Sequence, residues 1–455
     1  MTINKKGPSR ILLMGLTSSA LGGMEYHNLG NYIIMEPFIV ELQKEFPEAI
    51  ISTSIQMSDD FCNKFKIIPL RKKRFWTYGR YTTIVTICDL FSLCVWKSLN
   101  KLGINFRLFV DKSSLLSEID KADLFIDFSG DIYGDNSHSR SFIENNARLL
   151  FSLMLNKPTV MLIGSPGPFR KIWRLVIAKY IMKKLDLVTN REPVSTEFLE
   201  YIGIKGKHVV STACPSVFFK KDDSINAKKI LEYEEITPKL KPTIGLIICG
   251  WNMGEGPFNK WPRSDVEYGS FVKLIAHLIN NLNVRVCLMS HQNATDKDLK
   301  LLRGNDHRII EQLLGLLRST FSDEQLFTLK GLYNAAISKT IIGQFDMLIS
   351  GRIHGAVQGL SQSIPTVIID YGHEPKAHKL KGFGRLYGVE EYVCDPNDAD
   401  QMILIAEKIW KDREAVKQKL QTRIPQIENL ARMNFSLTRM SFEKRIYGHA
   451  DPSYR

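Results

Sequence analysis

Arg352 and His354 stand two residues apart, where an apolar run from Met347 to Gly351 gives out. A guanidinium at such a place can hold a carboxylate or phosphate through two hydrogen bonds. An imidazole there can give or take a proton near neutral pH. The "GAVQGL" that follows is rich in small residues, so a helix starting here packs close to a sheet and turns its N–H groups toward an anion. Gly351 is read as the residue that lets the backbone turn. The same pair also suits a structural role, an arginine matched to a nearby carboxylate beside a histidine that is part of the packing. Two other groups join the list. Arg191, next to Glu192 at the end of "LVTN", suits either anion binding or an ion pair at a helix start. His291, which closes "VRVCLMSH", suits either proton transfer or a loop cap.

These residues fall at the carboxyl ends of predicted strands. Short β runs occur at 10–16, 49–55, 122–130, 158–169, 186–192 and 208–219, with helical patterns such as 32–46 and 170–185 among them. The pattern restarts at 242–250, 284–292, 325–331, 347–351 and 365–372, with helices around 264–281 and 333–343. Alternation of this kind predicts parallel sheets covered on both faces. The expected fold class is α/β, two Rossmann-like domains facing a cleft. Ligands of open parallel sheets sit beyond the carboxyl ends of the strands. The expected division is an N-terminal domain over 1–220, a Lys- and Glu-rich linker over 221–241, a second domain over 242–397 and a helical region over 398–455.

The chain has 455 residues, 44% of them apolar, and a formal charge of +13. That excess favours anionic partners. Seven dispersed cysteines without close spacing fit a reducing cytosol and no zinc or redox motif. No stretch reaches the roughly 20 uncharged apolar residues of a bilayer span, and the basic, apolar N-terminus reads as a first strand. No full nucleotide fingerprint is present.

"SGRIHGAVQGLSQSIPTVIIDY" resembles the signature of the polysaccharide pyruvyl transferase family. Other pieces match in the family's order: "DLFIDFSGDIYGDN", the "GSPGPF" loop with Gly164 and Gly167, "LVTNREPVSTEFLEYIGI", "STACPSVFF" and "CLMSHQNATDKDL". The resemblance runs from about 10 to 395. It implies a GT-B-like pair of domains with the acceptor side over 1–220 and the donor side over 242–397, phosphoenolpyruvate as donor, a sugar diol of a cell-surface polysaccharide or of its lipid-linked precursor as acceptor, and a pyruvate ketal as product. It implies donor-binding or catalytic roles for Arg191, Arg352 and His354, and a lysine after Tyr371, matched by Lys376 or Lys379. The bottom-up chemistry agrees. A dianionic donor calls for cations, its methylene carbon calls for an acid such as His354, and ketal closure is helped by a base such as His291. No metal and no cofactor is required. In "HNLGNY", Asn28 and Asn31 lie on a loop that can cradle an acceptor or anion through backbone N–H groups. Asn31 stands where the family has Asp, which keeps open a non-catalytic glycan- or membrane-binding member. A nucleotide-sugar glycosyltransferase on the same scaffold is a further alternative.

The segment 61–100 mixes lysine and arginine with Phe75, Trp76, Tyr78 and Tyr81, then runs into the apolar "TTIVTICDLFSLCVW". Basic residues beside interfacial aromatics, here 64–81, suit an anionic membrane surface. A basic loop followed by a core helix is the alternative. Without a recognition fold, nucleic acid is not expected as a partner. The expected location is cytoplasmic, at the inner face of the membrane.

Overall fold

The computed structural model describes residues 6–15, 23–77, 79–104, 107–128, 130–135, 137–236, 241–256, 260–371 and 378–448. The chain divides into two units, Met1–Met24 with Ile39–Ala213 and Leu430–Arg455, and Glu25–Phe38 with Cys214–Asn429.

The first unit is built on seven parallel strands: β1 (Arg10–Gly15), β2 (Ile50–Thr53), β3 (Ile68–Pro69), β4 (Leu124–Phe128), β5 (Thr159–Gly164), β6 (Leu187–Asn190) and β7 (Val209–Ser211). Their order is β3-β2-β1-β4-β5-β6-β7, so the direction of winding reverses between β1 and β4. After their first residues, runs such as "RILLMG" and "TVMLIG" are unbroken apolar and buried because helices cover both faces of the sheet. Leu12, Phe125, Met161 and Val188 from the strands share one core with Leu115, Leu149 and Leu199 from the helices. Each such side chain contributes about 1.5–3 kcal/mol by leaving water.

The second unit repeats the plan with β8 (Thr243–Ile247), β9 (Arg285–Leu288), the antiparallel hairpin β10 (Ala294–Thr295) and β11 (Leu301–Arg303), β12 (Leu326–Thr328), β13 (Met347–Ser350), β14 (Thr366–Ile369) and β15 (Val393–Cys394). The parallel sheet runs β12-β9-β8-β13-β14-β15. Its switch point lies between β8 and β13.

Three expected boundaries differ from the structure. Residues 25–38 belong with the second unit, although the sequence places them in the first domain. Tyr32 packs edge-on against Phe219 with ring centroids 5.7 Å apart, and Ile33 joins Phe219 and Ala335 in a small core. The expected linker 221–241 holds a helix, Ile225–Tyr233, capped by the Ser224 hydroxyl. Its Lys228, Lys229 and Glu232 form the wet face, while Ala227, Ile230 and Leu231, at helical spacing, pack into the second core. The C-terminal helix Arg413–Tyr447 carries the chain from the second unit back into the first. There Asn434 accepts from the Thr189 and Thr212 hydroxyls at 2.6 and 2.8 Å and donates to the Ala213 carbonyl.

Candidate functional site

In the second unit the carboxyl ends of β8, β9 and β13 supply the polar groups. After β13 the chain turns at Gly351 and enters the helix Ile353–Leu360, with Arg352 as its first flanking residue. Gly351 has an ordinary φ. What requires glycine here is space, since a Cβ would lie 2.0 Å from the Asn252 Oδ1. Asn252 is fixed in turn, accepting from the Cys249 N–H and donating to the Asp370 carbonyl, both at 2.9 Å. The ends of β8, β13 and β14 are thereby tied together around one side chain.

Arg352 is buried and makes a two-pronged bond to Asp306, Nε to Oδ2 at 3.1 Å and Nη2 to Oδ1 at 2.5 Å. Asp306 Oδ2 also accepts the backbone N–H groups of His291 and Gln292, at 3.3 and 2.7 Å. Burial works against the Arg352 charge. The Asp306 carboxylate outweighs it, with smaller fields from Cys249 and Tyr371, so the guanidinium pKa is raised. The Cys249 thiol, enclosed beside them, is pushed up to about 11 by burial.

His291 is buried too. Its Nε2 lies 3.3 Å from the Gln358 Oε1, and the Gln358 amide nitrogen donates to the Ala335 carbonyl. With the amide held that way round, His291 Nε2 is the donor. Burial lowers the His291 pKa to about 4, against a smaller opposing pull from Asp306. The ring is neutral at pH 7 and a poor base there, which weakens the expected proton-accepting role.

His354 sits on the first turn of the same helix and is half-buried. A Cβ on Gly30 would lie 2.8 Å from its Nδ1, so the first turn of the helix Leu29–Glu45 passes directly against the imidazole, and the loop expected at "HNLGNY" is helical from Leu29 onward. Asn28 holds that turn by accepting the Asn31 N–H at 3.2 Å. Hairpin β10–β11 supports the same stretch through a bond from the Thr295 hydroxyl to the Tyr26 carbonyl. The structure thus brings Arg352, His354, His291, Asn28 and Asn31 together in one unit. Tyr371 closes β14, and Lys379 lies with its Nζ 5.6 Å from the centre of that ring. Lys376 lies outside the described residues.

In the first unit Arg191 follows β6. Its Nε donates to the Ser165 hydroxyl at 2.8 Å and its N–H to the Gly164 carbonyl at 3.0 Å. Glu192 serves as helix cap for Pro193–Tyr201, accepting from Ser195. Gly167 has a positive φ of 97°, and a Cβ there would meet Phe198 at 2.4 Å. Gly167 is therefore set by backbone geometry just beyond β5, which Gly164 closes.

Sequence reasoning missed Asp306. It opens the helix Asn305–Leu317, 15 residues beyond His291. Acidic residues at helix starts are common, and nothing local marks this one as the partner of Arg352.

No curated protein matches the chain. Among solved structures it is similar to a UDP-N-acetylglucosamine 2-epimerase described as putative from Listeria monocytogenes, at 11% identity and TM-score 0.57, covering 98% of each chain. The Neisseria meningitidis UDP-GlcNAc 2-epimerase bound to UDP-GlcNAc shows 11% identity and TM-score 0.55, covering 94% of this chain and 99% of that one. Anabaena HepE in complex with UDP-glucose shows 13% and 0.50, covering 96% and 98%. These likenesses carry the fold, a GT-B-like pair of Rossmann-like units. The sequence model of the polysaccharide pyruvyl transferases matches residues 28–373, a span that takes in Arg191, His291, Asp306, Arg352 and His354, and the chain belongs to that family of transferases.

Proposed function

We propose that the chain moves pyruvate from phosphoenolpyruvate to two neighbouring hydroxyls of a sugar, in a cell-surface polysaccharide or its lipid-linked precursor, on the cytoplasmic side. The observation that carries this reading is His354. It is a half-buried imidazole at a helix start, backed by the Gly30 turn and next to the Arg352–Asp306 pair, in a chain of the pyruvyl transferase family.

In this reading His354 delivers a proton to the methylene carbon, and C2 becomes oxocarbenium-like. One sugar oxygen bonds to C2. The C2–O bond to phosphate breaks with its electrons going to phosphate, and the second sugar oxygen then closes the ketal. Of the two hydroxyl protons, one restores His354 and the other leaves with phosphate. Within the second unit, Arg352 and Lys379 are the cations that match the donor's phosphate and carboxylate; Arg191, in the first unit, is the cation that the family resemblance adds. The backbone N–H groups expected to cradle an anion are already bonded, Asn31 to Asn28, Ser165 to Gly130 and Gly167 to Tyr133. His291, neutral and tied to Gln358, holds the carboxyl end of β9 in place. No cofactor and no metal takes part.

The test incubates pure protein with phosphoenolpyruvate and a panel of glycans and lipid-linked oligosaccharides. Phosphate release with a ketal on the sugar is expected, abolished by His354→Ala. No turnover from folded protein across the panel overturns the reading. A rise in melting temperature with UDP-sugars but none with phosphoenolpyruvate favours a glycosyltransferase instead.

A further inference from the structure

The helix Arg80–Lys101 is 22 residues and about 33 Å long, and its outer face is bare. Tyr81, Ile84, Ile87, Leu90 and Phe91 are exposed, Ile84 by 60% and Phe91 by 70%. Their spacing places Ile84, Ile87 and Phe91 along one stripe. The only acidic residue of the helix, Asp89, is turned inward and bonded to the buried Arg74 at 2.7 Å. What the sequence shows as a break in the apolar run is absent from the outer face.

A second bare stripe lies on the helix Ile172–Met182. Ile172 is 77% exposed and Val176 60%, with Trp173 and Tyr180 beside them. The two helices flank a third, Ser139–Met154. On one flank its Glu144 accepts from the Thr82 and Thr83 hydroxyls at 2.8 and 3.1 Å. On the other its Phe142 meets the Trp173 ring edge-on at 5.4 Å. Ile143, between those two residues, is exposed and continues the apolar surface. Lys97 of the first helix is close enough to help Lys184 hold the Tyr180 phenol below its ordinary range.

The charges around this face are of one sign. Arg80, Lys97 and Lys101 are exposed at the ends of the first helix, and Arg170, Lys171, Lys183 and Lys184 at the ends of the second. Neither helix exposes an acidic residue. Apolar stripes with Trp and Tyr, framed by lysine and arginine, match the interface of an anionic bilayer. A protein partner would need a matching acidic rim, which anionic lipid supplies as a continuous surface.

We infer that the outer face of Arg80–Lys101 and Ile172–Met182 seats the first unit on a membrane rich in anionic lipid, with both helices in the plane of the headgroups. The first helix is long enough to cross a bilayer, but its inward face is fixed to the unit by Thr82, Thr83 and the Arg74–Asp89 pair. The surface shares only Arg80 and Tyr81 with the 64–81 segment that composition indicates. Arg74 and Phe75 of that segment are buried.

The test sediments the full chain with phosphatidylcholine vesicles and with vesicles that also contain phosphatidylglycerol, with no substrate present, so its outcome is independent of the transfer chemistry. Co-sedimentation with the anionic vesicles, weakened by salt, is expected. Phe91→Glu and Val176→Glu are each expected to reduce it about tenfold with an unchanged melting temperature. Tyr201→Glu, an equally acidic change at an exposed site on the helix Pro193–Tyr201, leaves it intact. Wild-type protein that stays in solution with anionic vesicles overturns the inference. So does undiminished sedimentation of both Phe91→Glu and Val176→Glu. A dimer broken by Phe91→Glu, without lipid binding, assigns the face to a second copy and also overturns it.

Discussion

Replacing Asp306 by asparagine should harm the second unit more than any change to its partner arginine. The Asp306 side chain is fully buried and accepts four N–H groups, two from Arg352 and one each from the His291 and Gln292 backbone. Asparagine keeps the shape but loses the charge, and its NH2 group faces donors. Arg352 cannot shed its proton, so an uncompensated charge is left in a site where only about a tenth of its side chain meets water. Breaking a buried pair in this way costs about 3–5 kcal/mol. At about 2–4 °C per kcal/mol for a unit of this size, the melting temperature should fall by about 6–20 °C. Arg352→Met is the control. It leaves Asp306 with its two backbone N–H donors and the option of taking up a proton, so it should cost less. Calorimetry and urea unfolding of both variants measure the ranking as well as the size. Asp306→Asn within about 1 kcal/mol of wild type, or Arg352→Met the more harmful of the two, refutes the argument that the carboxylate organises this site.

Two further outcomes follow from the same cluster. His291 has a pKa near 4 in the fold and about 6.5 when unfolded, so between those values the unfolded chain binds more protons. Stability therefore rises with pH across that window and is lost as pH falls through it, by about 3 kcal/mol in all. Unfolding free energies of wild type and His291→Gln, measured from pH 4 to 7, should converge by that amount toward acid. Gly30→Ala puts a methyl group 2.8 Å from the His354 Nδ1. It should lower kcat about tenfold or more while shifting the melting temperature by only a few degrees, a split visible in steady-state kinetics beside a thermal melt.

The two sheets were legible because parallel strands covered on both faces are written as unbroken apolar runs. "PTIGLIICG" and "MLISG" place β8 and β13 within a few residues, and the rule that ligands lie beyond strand ends then picks out Arg352 and His354. What could not be read is anything decided by a partner distant in the chain. Residues 25–38 come between β1 and β2 in the chain, yet they pack with the second unit because Tyr32 and Ile33 meet Phe219 and Ala335 there. Asp306 is hidden by the hairpin β10–β11, which lengthens the path from His291 without moving the ends apart.

The Arg352–Asp306 bond also changes how the charge of the site is counted. On the sequence, Arg352 reads as a full positive charge available to a dianionic donor. In the fold the guanidinium and carboxylate are joined along one edge at 2.5 and 3.1 Å, so the pair is close to neutral at a distance. Arg352 therefore contributes direction more than field. It fixes the entry to the helix Ile353–Leu360, and through Asp306 it fixes the turn after β9 as well. Long-range attraction for an anion then falls to groups such as Lys379 and the N–H groups of that helix start. A residue can be essential at such a site without being the charge that draws the substrate in, which is why the stability ranking of Asp306→Asn against Arg352→Met separates the two roles.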